Sequence, residues 1–236
     1  MKTLHERVVL TVSLITFFIA GYFGIGLSRA PDQARELNIF LDDKIPFIAH
    51  SVWIYLLIFP SALIPLFVVR CERLFRRTAL AYAAAISFSL ICFAVFPVTS
   101  VRLRMDQASL NLTGASDWAV ATLYSIDPPY NLFPSLHLAI AVLAAFAAWK
   151  AARVYGAAAF VTLVFIGVSV CTVKQHVVLD AISGIALGAL VGAVFLRPYR
   201  PDAGVEPAYS WRGLLLYVVF LVLVYTGFYL IYLIGS

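Results

Sequence analysis

The sequence predicts an all-α membrane protein, a polytopic bundle of transmembrane helices forming a single domain over residues 1–236. Hydrophobic side chains make up 63% of the chain and charged ones only 12%, with a mean hydropathy of +0.95. A soluble core in a protein of this size cannot bury that much apolar surface, so the chain belongs in a bilayer. The apolar residues also fall into seven long runs, which set the expected number of helices.

Each of these runs has about the length needed to cross a membrane, roughly 20 residues. The predicted spans are 8–26, 50–69, 79–98, 134–150, 155–173, 175–196 and 214–234. The first follows a basic start, but it is too long for a secretory signal and lacks a convincing cleavage site. Pro60 and Pro65 are expected to bend the second span. Gly184, Gly188 and Gly192 recur every four residues in the sixth, a spacing that lets two helices pack closely.

The basic residues predict the orientation, because lysine and arginine accumulate in cytoplasmic segments. With a cytoplasmic amino terminus, 11 of the 17 basic residues lie on the inner side and six on the outer side. The inner residues are Lys2, Arg7, Arg70, Arg73, Arg76, Arg77, Lys150, Arg153, Arg197, Arg200 and Arg212, and the outer ones are Arg29, Arg35, Lys44, Arg102, Arg104 and Lys174. The net charge of +5 is therefore interpreted as a topology signal, and no nucleic-acid partner is expected.

Candidate catalytic residues lie at the ends of spans that this topology brings to the outer face. His176 and Asp180 are four residues apart, so on a helix the carboxylate would hold one ring nitrogen and leave the other free to attack. His137 opens the fourth span and is its expected partner. The long polar segment 99–133, expected to be a functional loop without regular structure, ends beside His137. Arg102, Arg104, His137, Lys174, His176 and Asp180 are expected to converge at this face.

Two histidines, a carboxylate and several cations indicate phosphoryl transfer at the membrane surface. The cations neutralise the phosphate oxygens, one histidine attacks phosphorus, and the other protonates the leaving alkoxide. Ser135 and the amides that open the fourth helix add hydrogen-bond donors for an anion. A zinc site is the rival interpretation, but Lys174 would repel the ion and no third histidine lies nearby. No metal and no cofactor are expected.

These residues resemble the type 2 phosphatidate phosphatase superfamily, which also contains lipid phosphotransferases and vanadium haloperoxidases. Pro134-Ser135-Leu136-His137 matches the central Pro-Ser-Gly-His motif, and His176 with Asp180 matches the third motif. The form Phe-Pro-Ser-Leu-His, followed by Lys-Gln-His and Asp-x-x-x-Gly, looks most like the branch with inositol phosphorylceramide synthases and bacterial relatives. The resemblance covers the third to sixth spans, with the motifs within residues 96–196. It implies a six-helix phosphatase-like core plus one extra carboxyl-terminal helix.

Two of the superfamily's basic positions are not matched. The first motif, a lysine followed seven residues later by Arg-Pro, is absent, and only Arg102 and Arg104 stand near its place. The arginine expected six residues before the third-motif histidine is Val170, preceded by Ser169. Lys174 is the candidate substitute, although a lysine cannot offer the bidentate fork of a guanidinium. Ser135, Lys174, Arg102 and Arg104 are therefore the predicted phosphate-binding residues.

By resemblance, His176 carries the phosphoryl group, Asp180 orients it, and His137 acts as general acid and then general base. The expected substrate is a phosphorylated lipid in the outer leaflet of the plasma or inner membrane. Three functions stay open: hydrolysis by water, transfer to an alcohol such as an inositol or sugar hydroxyl, and non-enzymatic lipid binding. The same residues serve hydrolysis and transfer, so the sequence does not separate them, and it does not give the oligomeric state.

Overall fold

The chain folds into a bundle of α-helices, in a computed structural model that describes residues 2–28, 34–200 and 211–235. The helices are α1 (Lys2–Leu27), α2 (Phe40–Lys44), α3 (Val52–Tyr55), α4 (Ile58–Ser61), α5 (Ile64–Val68), α6 (Glu72–Val95), α7 (Ala115–Ile126), α8 (Leu136–Ala151), α9 (Arg153–Thr172), α10 (Val178–Phe195) and α11 (Trp211–Gly235). Three 3-10 turns accompany them: Ala49–Ser51, Val101–Leu103 and Gln107–Ser109. Within these ranges the only β-pairing is a set of isolated bridges joining Arg35, Val98 and Asn131.

Five of the described helices, α1, α6, α9, α10 and α11, are long and apolar enough to cross a membrane. Large apolar side chains such as Val12 on α1, Ile91 on α6 and Leu223 on α11 are more than half exposed. Such a surface is stable only against hydrocarbon. The protein is therefore an integral membrane protein, and the predicted all-α bundle is confirmed.

The second predicted span is not one helix but the three short helices α3, α4 and α5. Pro60 and Pro65 each lack a backbone N–H and cannot continue an unbroken helical hydrogen-bond ladder. The segment still runs from one end of the bundle to the other. The amide of Ile48 donates to the carbonyl of Thr172 (3.0 Å), whereas Val69 at the far end accepts from Arg7 Nη1 (2.7 Å). The expected bend thus takes the form of two short breaks in the regular helix, at Leu56–Leu57 and Ala62–Leu63, where the backbone keeps a right-handed helical conformation.

The described basic residues from the predicted inner segments gather at one end of the bundle. Arg76 pairs with Glu6 (2.7 Å) and Glu72 (2.7 Å), which ties the start of α6 to α1. Arg73 donates to the carbonyl of Arg200 (2.9 Å), and Lys150 donates to that of Arg197 (3.3 Å). Arg29, one of the predicted outer basic residues, lies outside the described residues, and so do residues 201–210 of the final loop.

Helices α8 and α10 pack closely against each other. A Cβ placed on Gly184 would lie 2.3 Å from the carbonyl oxygen of Ser135, and one on Gly188 would lie 2.7 Å from that of Ala139. Only glycine allows the two backbones to approach so closely. The close packing predicted from the glycine spacing is present, and it holds the starts of α8 and α10 together.

The segment 99–133 is not the structureless loop expected from its polarity. It contains two of the 3-10 turns and the helix α7, whose buried face includes Val120 and Leu123. Apolar residues spaced at helical intervals within Ala115–Ile126 form this buried face. The low mean hydropathy of the whole segment 99–133 did not indicate it. The segment therefore forms a packed cover over the end of the bundle opposite the basic residues.

Candidate active site

His176 lies in the tight turn between α9 and α10. Lys174 adopts a left-handed backbone conformation with φ of 57°, so that the amides of Gln175 and His176 both donate to the carbonyl of Val170, at 3.1 and 3.0 Å. Helix α10 begins only at Val178. The expectation that His176 and Asp180 share one helix face is therefore wrong in detail, because His176 precedes the helix and Asp180 lies in its first turn.

Asp180 nevertheless holds His176 as the spacing predicted. Nδ1 of His176 lies 3.1 Å from Oδ2 of Asp180, and the two side chains are 3% and 0% exposed. Because a carboxylate accepts, the proton of the neutral imidazole lies on Nδ1 and Nε2 carries the free lone pair. This arrangement leaves a buried, oriented ring nitrogen of the kind that a nitrogen nucleophile requires.

His137 faces that nitrogen from the first turn of α8. Its Nδ1 lies 3.3 Å from Nε2 of His176, and the two rings are nearly perpendicular, at 74°. Ser135 is the N-cap of the helix, because its Oγ accepts from the amide of Leu138 (3.4 Å). Ser135 is also fully buried, and its own amide donates to the carbonyl of Asp180 (3.1 Å). The histidine, histidine and carboxylate predicted from distant motifs thus form one chain of contacts.

The short helix α2 supports the turn that carries His176. Asp42 is buried, with Oδ1 accepting from the amide of Val178 (2.8 Å) and Oδ2 from the amide of Ile39 (2.8 Å). The amide of Val178 is one of the unpaired donors that begin α10, so Asp42 caps this helix from a distance. No pattern in the sequence singles out Asp42, because only tertiary contact places it there.

Lys174 occupies a different place from the one expected of a phosphate ligand. Its ammonium donates to the carbonyl of Asp42 (2.9 Å) and to that of Ile45, and the side chain is buried. Two of its three donors are thereby used in fixing α2 to the turn. The structure gives Lys174 an anchoring contact and does not support the predicted phosphate contact.

The two arginines after α6 differ in position. Arg102 is half-exposed and pairs with Glu36 (3.4 Å) and Asp43 (3.6 Å), away from the histidines. Arg104 is partly buried, donating to the carbonyls of Tyr124 (3.3 Å) and Asp127 (3.3 Å). Its Nε is buried without a hydrogen-bond partner in the described chain. Of the predicted cations, Arg104 is the one that lies close to the site.

A polar cluster that the sequence did not reveal flanks both histidines. Asp127 accepts from the hydroxyl of Tyr22 (2.7 Å) and from Nε2 of Gln175 (3.0 Å). The Tyr22 and Tyr55 rings lie 6.0 and 6.2 Å from the ring of His137. The only sequence signals were the turn-like segment that begins at Asp127 and the position of Gln175 beside His176.

Tyr124 fixes this cluster to the His176 turn. Its hydroxyl donates to the carbonyl of Val173 (2.7 Å). Burial raises the pKa of the Tyr124 phenol to about 12, so the group remains a neutral donor at physiological pH. The ring also lies under the Arg104 guanidinium, 4.9 Å from centroid to Cζ. Helix α7 thus positions both the turn and the nearest cation.

The family comparison agrees with this geometry. The model of the PAP2 superfamily matches residues 32–194, more than half of the chain. The chain belongs to the PAP2 superfamily. The match begins well before the third span, so it extends further toward the amino terminus than the motif resemblance indicated, and it supports phosphatase or phosphoryl-transfer activity. Neither the curated proteins nor the solved structures gave a significant match.

Proposed function

We propose that the protein is a lipid phosphate phosphatase that works through a phosphohistidine intermediate without a metal ion. The observation that carries the proposal is the contact chain from His137 through His176 to Asp180. It provides an oriented nucleophile and a second imidazole on the side where a leaving group departs. Membership of the PAP2 superfamily independently favours phosphoryl transfer.

In the first step Nε2 of His176 attacks phosphorus, while the bond from phosphorus to the alkoxy oxygen breaks. The attacking ring becomes positively charged, and the Asp180 carboxylate stabilises it through the Nδ1 proton. His137, as imidazolium, gives its proton to the leaving oxygen and releases the lipid alcohol. In the resting structure Nδ1 of His137 lies 3.3 Å from Nε2 of His176, so the phosphoryl group takes the place of their direct contact.

In the second step His137, now neutral, removes a proton from a water molecule whose oxygen attacks phosphorus. The phosphorus–nitrogen bond breaks, its electrons return to Nε2 of His176, and inorganic phosphate leaves. Arg104 is the candidate for balancing charge on the phosphoryl oxygens, through the Nε that has no hydrogen-bond partner among the described residues. The amides at the start of α8 are the candidate neutral donors.

The position of the site supports a lipid substrate in the extracytoplasmic leaflet. The histidines lie at the end of the bundle opposite the basic cluster of Arg73, Arg76 and Lys150. Because basic segments stay in the cytoplasm, the amino terminus is cytoplasmic and the site faces the extracytoplasmic leaflet. The phosphorylated headgroup of a lipid in that leaflet reaches the histidines while the lipid stays in the membrane.

The test is phosphate release by purified protein from a panel of lipid phosphates, with the variant His176→Ala alongside. The variant is expected to release no phosphate while keeping the wild-type elution volume and helical circular dichroism, because His176 lies in a turn and not between packed helices. With an activated aryl phosphate, His137→Ala is expected to accumulate a phosphoryl adduct on His176. Phosphate release by His176→Ala at the wild-type rate would refute the assignment of the nucleophile.

The same assay tests metal independence. Activity is expected to be unchanged in excess chelator and to be inhibited by vanadate, which adopts the geometry of a phosphoryl group in transfer. Among the described residues no group of three histidine, cysteine or acidic side chains is placed to hold a metal ion. Activity that disappears in chelator and returns with one divalent ion would contradict the proposed mechanism.

A second candidate is transfer of the phosphoryl-bearing group to an alcohol in place of water. Its support is the polar cluster around Asp127, where the side-chain amide of Gln175, beside His176, could contact the hydroxyl of an acceptor alcohol. The motif resemblance to inositol phosphorylceramide synthases points the same way. Adding inositol or a sugar to the assay separates the candidates, because transfer yields a phosphorylated acceptor in place of inorganic phosphate.

A further inference from the structure

An apolar cavity of about 260 Å³ leads away from His137 into the membrane-embedded part of the bundle. Its walls are α1, the interrupted segment of α4 and α5, α6, and the start of α8. Of its polar lining residues, Thr78 and Tyr82 already donate their hydroxyls to the carbonyls of Leu74 (2.9 Å) and Ala62 (3.0 Å). The cavity therefore presents hydrocarbon along its length and an imidazole at one end.

The cavity is also open sideways. Ile15 and Ile19 of α1 and Phe59 of α4 line it and are 41%, 48% and 44% exposed. These side chains face the surface that the bilayer covers, so a lipid tail enters between α1 and α4 without crossing water. The short helix α4, which contains Pro60, borders this opening.

The length of the cavity follows from the helices along it. On α6 the lining extends from Phe75 to Ile86, which corresponds to about 16 Å at about 1.5 Å per residue. On α1 it extends from Thr11 to Ile19, about 12 Å by the same measure. An extended alkyl chain advances about 1.3 Å per carbon, given carbon–carbon bonds of about 1.5 Å. The cavity thus accommodates about nine to twelve carbons.

We infer that this cavity holds the hydrocarbon tail of the substrate itself, beginning at the leaving oxygen. This inference rests on the proposed function, in which His137 protonates the oxygen that joins phosphorus to the lipid. The tail must therefore start beside His137, and the apolar cavity starts there as well. The protein then selects phosphorylated lipids by an internal tail site, and about the first nine to twelve carbons leave the bilayer on binding.

Alkyl monophosphates with four, eight and twelve carbons, used below their micelle-forming concentrations, test the site. The wild type is expected to gain about threefold to fourfold in kcat/KM per added methylene, since each one leaves water for the cavity. Ala62→Phe places a ring in the cavity, so the variant should lose at least tenfold on the twelve-carbon substrate and little on the four-carbon one. Ala157→Phe is the matched control, because Ala157 is exposed on α9 and does not line the cavity.

Photo-crosslinking locates the tail without turnover. Dodecyl phosphate with a diazirine at its terminal carbon is expected to label the far end of the cavity, near Thr11 and Phe75, whereas a label at the second carbon should mark the region of Leu136. A terminal label found only on exposed lipid-facing residues would overturn the inference, because the tail would then lie in the bilayer. So would an Ala62→Phe variant with the chain-length preference of the wild type.

Failure of the proposed function gives a different result. If the wild type hydrolyses none of the three alkyl phosphates and no other lipid phosphate, the phosphatase assignment fails whatever the crosslinking pattern. A different outcome is that an excess of ordinary phospholipid abolishes the terminal labelling, while hydrolysis is normal and shows no chain-length preference. That outcome would assign the cavity to a bulk lipid and refute the tail site. Only labelling resistant to that excess, together with a chain-length preference that Ala62→Phe removes, supports the inference.

Discussion

Replacing Asp180 by asparagine tests how His176 is activated. Asparagine keeps the size of the side chain but removes the negative charge, so α10 should pack as before. The carboxylate and the imidazole are both buried and 3.1 Å apart. Removing the charge of Asp180 should therefore lower the rate of phosphoryl transfer much more than the stability of the fold, because the His176 ring gains positive charge only when it attacks phosphorus.

The expected loss follows from the strength of this contact. A hydrogen bond to a charged group contributes about 1.5–3 kcal/mol, and about 1.4 kcal/mol corresponds to a factor of ten in rate. The kcat of Asp180→Asn should consequently fall about 10- to 150-fold. KM should change little, since Asp180 contacts His176 and not the cavity, whose lining residues do not include it.

The assay is steady-state phosphate release from dodecyl phosphate in detergent, with thermal unfolding followed by circular dichroism. Asp43→Asn is the matched control, because Asp43 is an exposed carboxylate that pairs with Arg102 away from the histidines. It should retain the kcat of the wild type. An Asp180→Asn kcat within twofold of the wild type, in a normally folded protein, would refute the orienting role of Asp180.

Two further predictions concern packing and topology. Gly184→Ala should reduce both activity and thermal stability, with about 1–3 kcal/mol of stability lost by overpacking against the Ser135 carbonyl. The control is Gly167→Ala on α9, where an added Cβ would meet nothing within 4 Å, and it should be neutral or stabilising in the same thermal unfolding experiments. In intact cells an impermeant thiol reagent should label Ser109→Cys, in the exposed cover of the site, and should not label Pro198→Cys beside the basic cluster; the reverse pattern would place the histidines in the cytoplasm.

The sequence by itself determined the class of protein and much of its chemistry. Its composition required a bilayer, and the apolar runs predicted the long helices to within three residues at most ends, although α1 and α6 begin six and seven residues before their runs. The glycine spacing of α10 predicted the close approach to α8, because only glycine permits it. His137, His176 and Asp180 were identified from local motifs and from the topology that brings span ends to one face. Their catalytic roles stay predictions until the variants are measured.

Only the tertiary structure decided which polar groups surround these three residues. Lys174 appeared suited to binding phosphate from its place beside His176, but carbonyls more than 100 residues earlier in the chain occupy its ammonium. Asp42 and Asp127 looked like ordinary loop carboxylates, yet one caps α10 and the other joins Tyr22 to Gln175. Hydrogen bonds between distant segments leave no periodic trace in a sequence, because each depends on where two backbones meet. Helix periodicity and hydropathy are local properties, and for this reason they could be predicted.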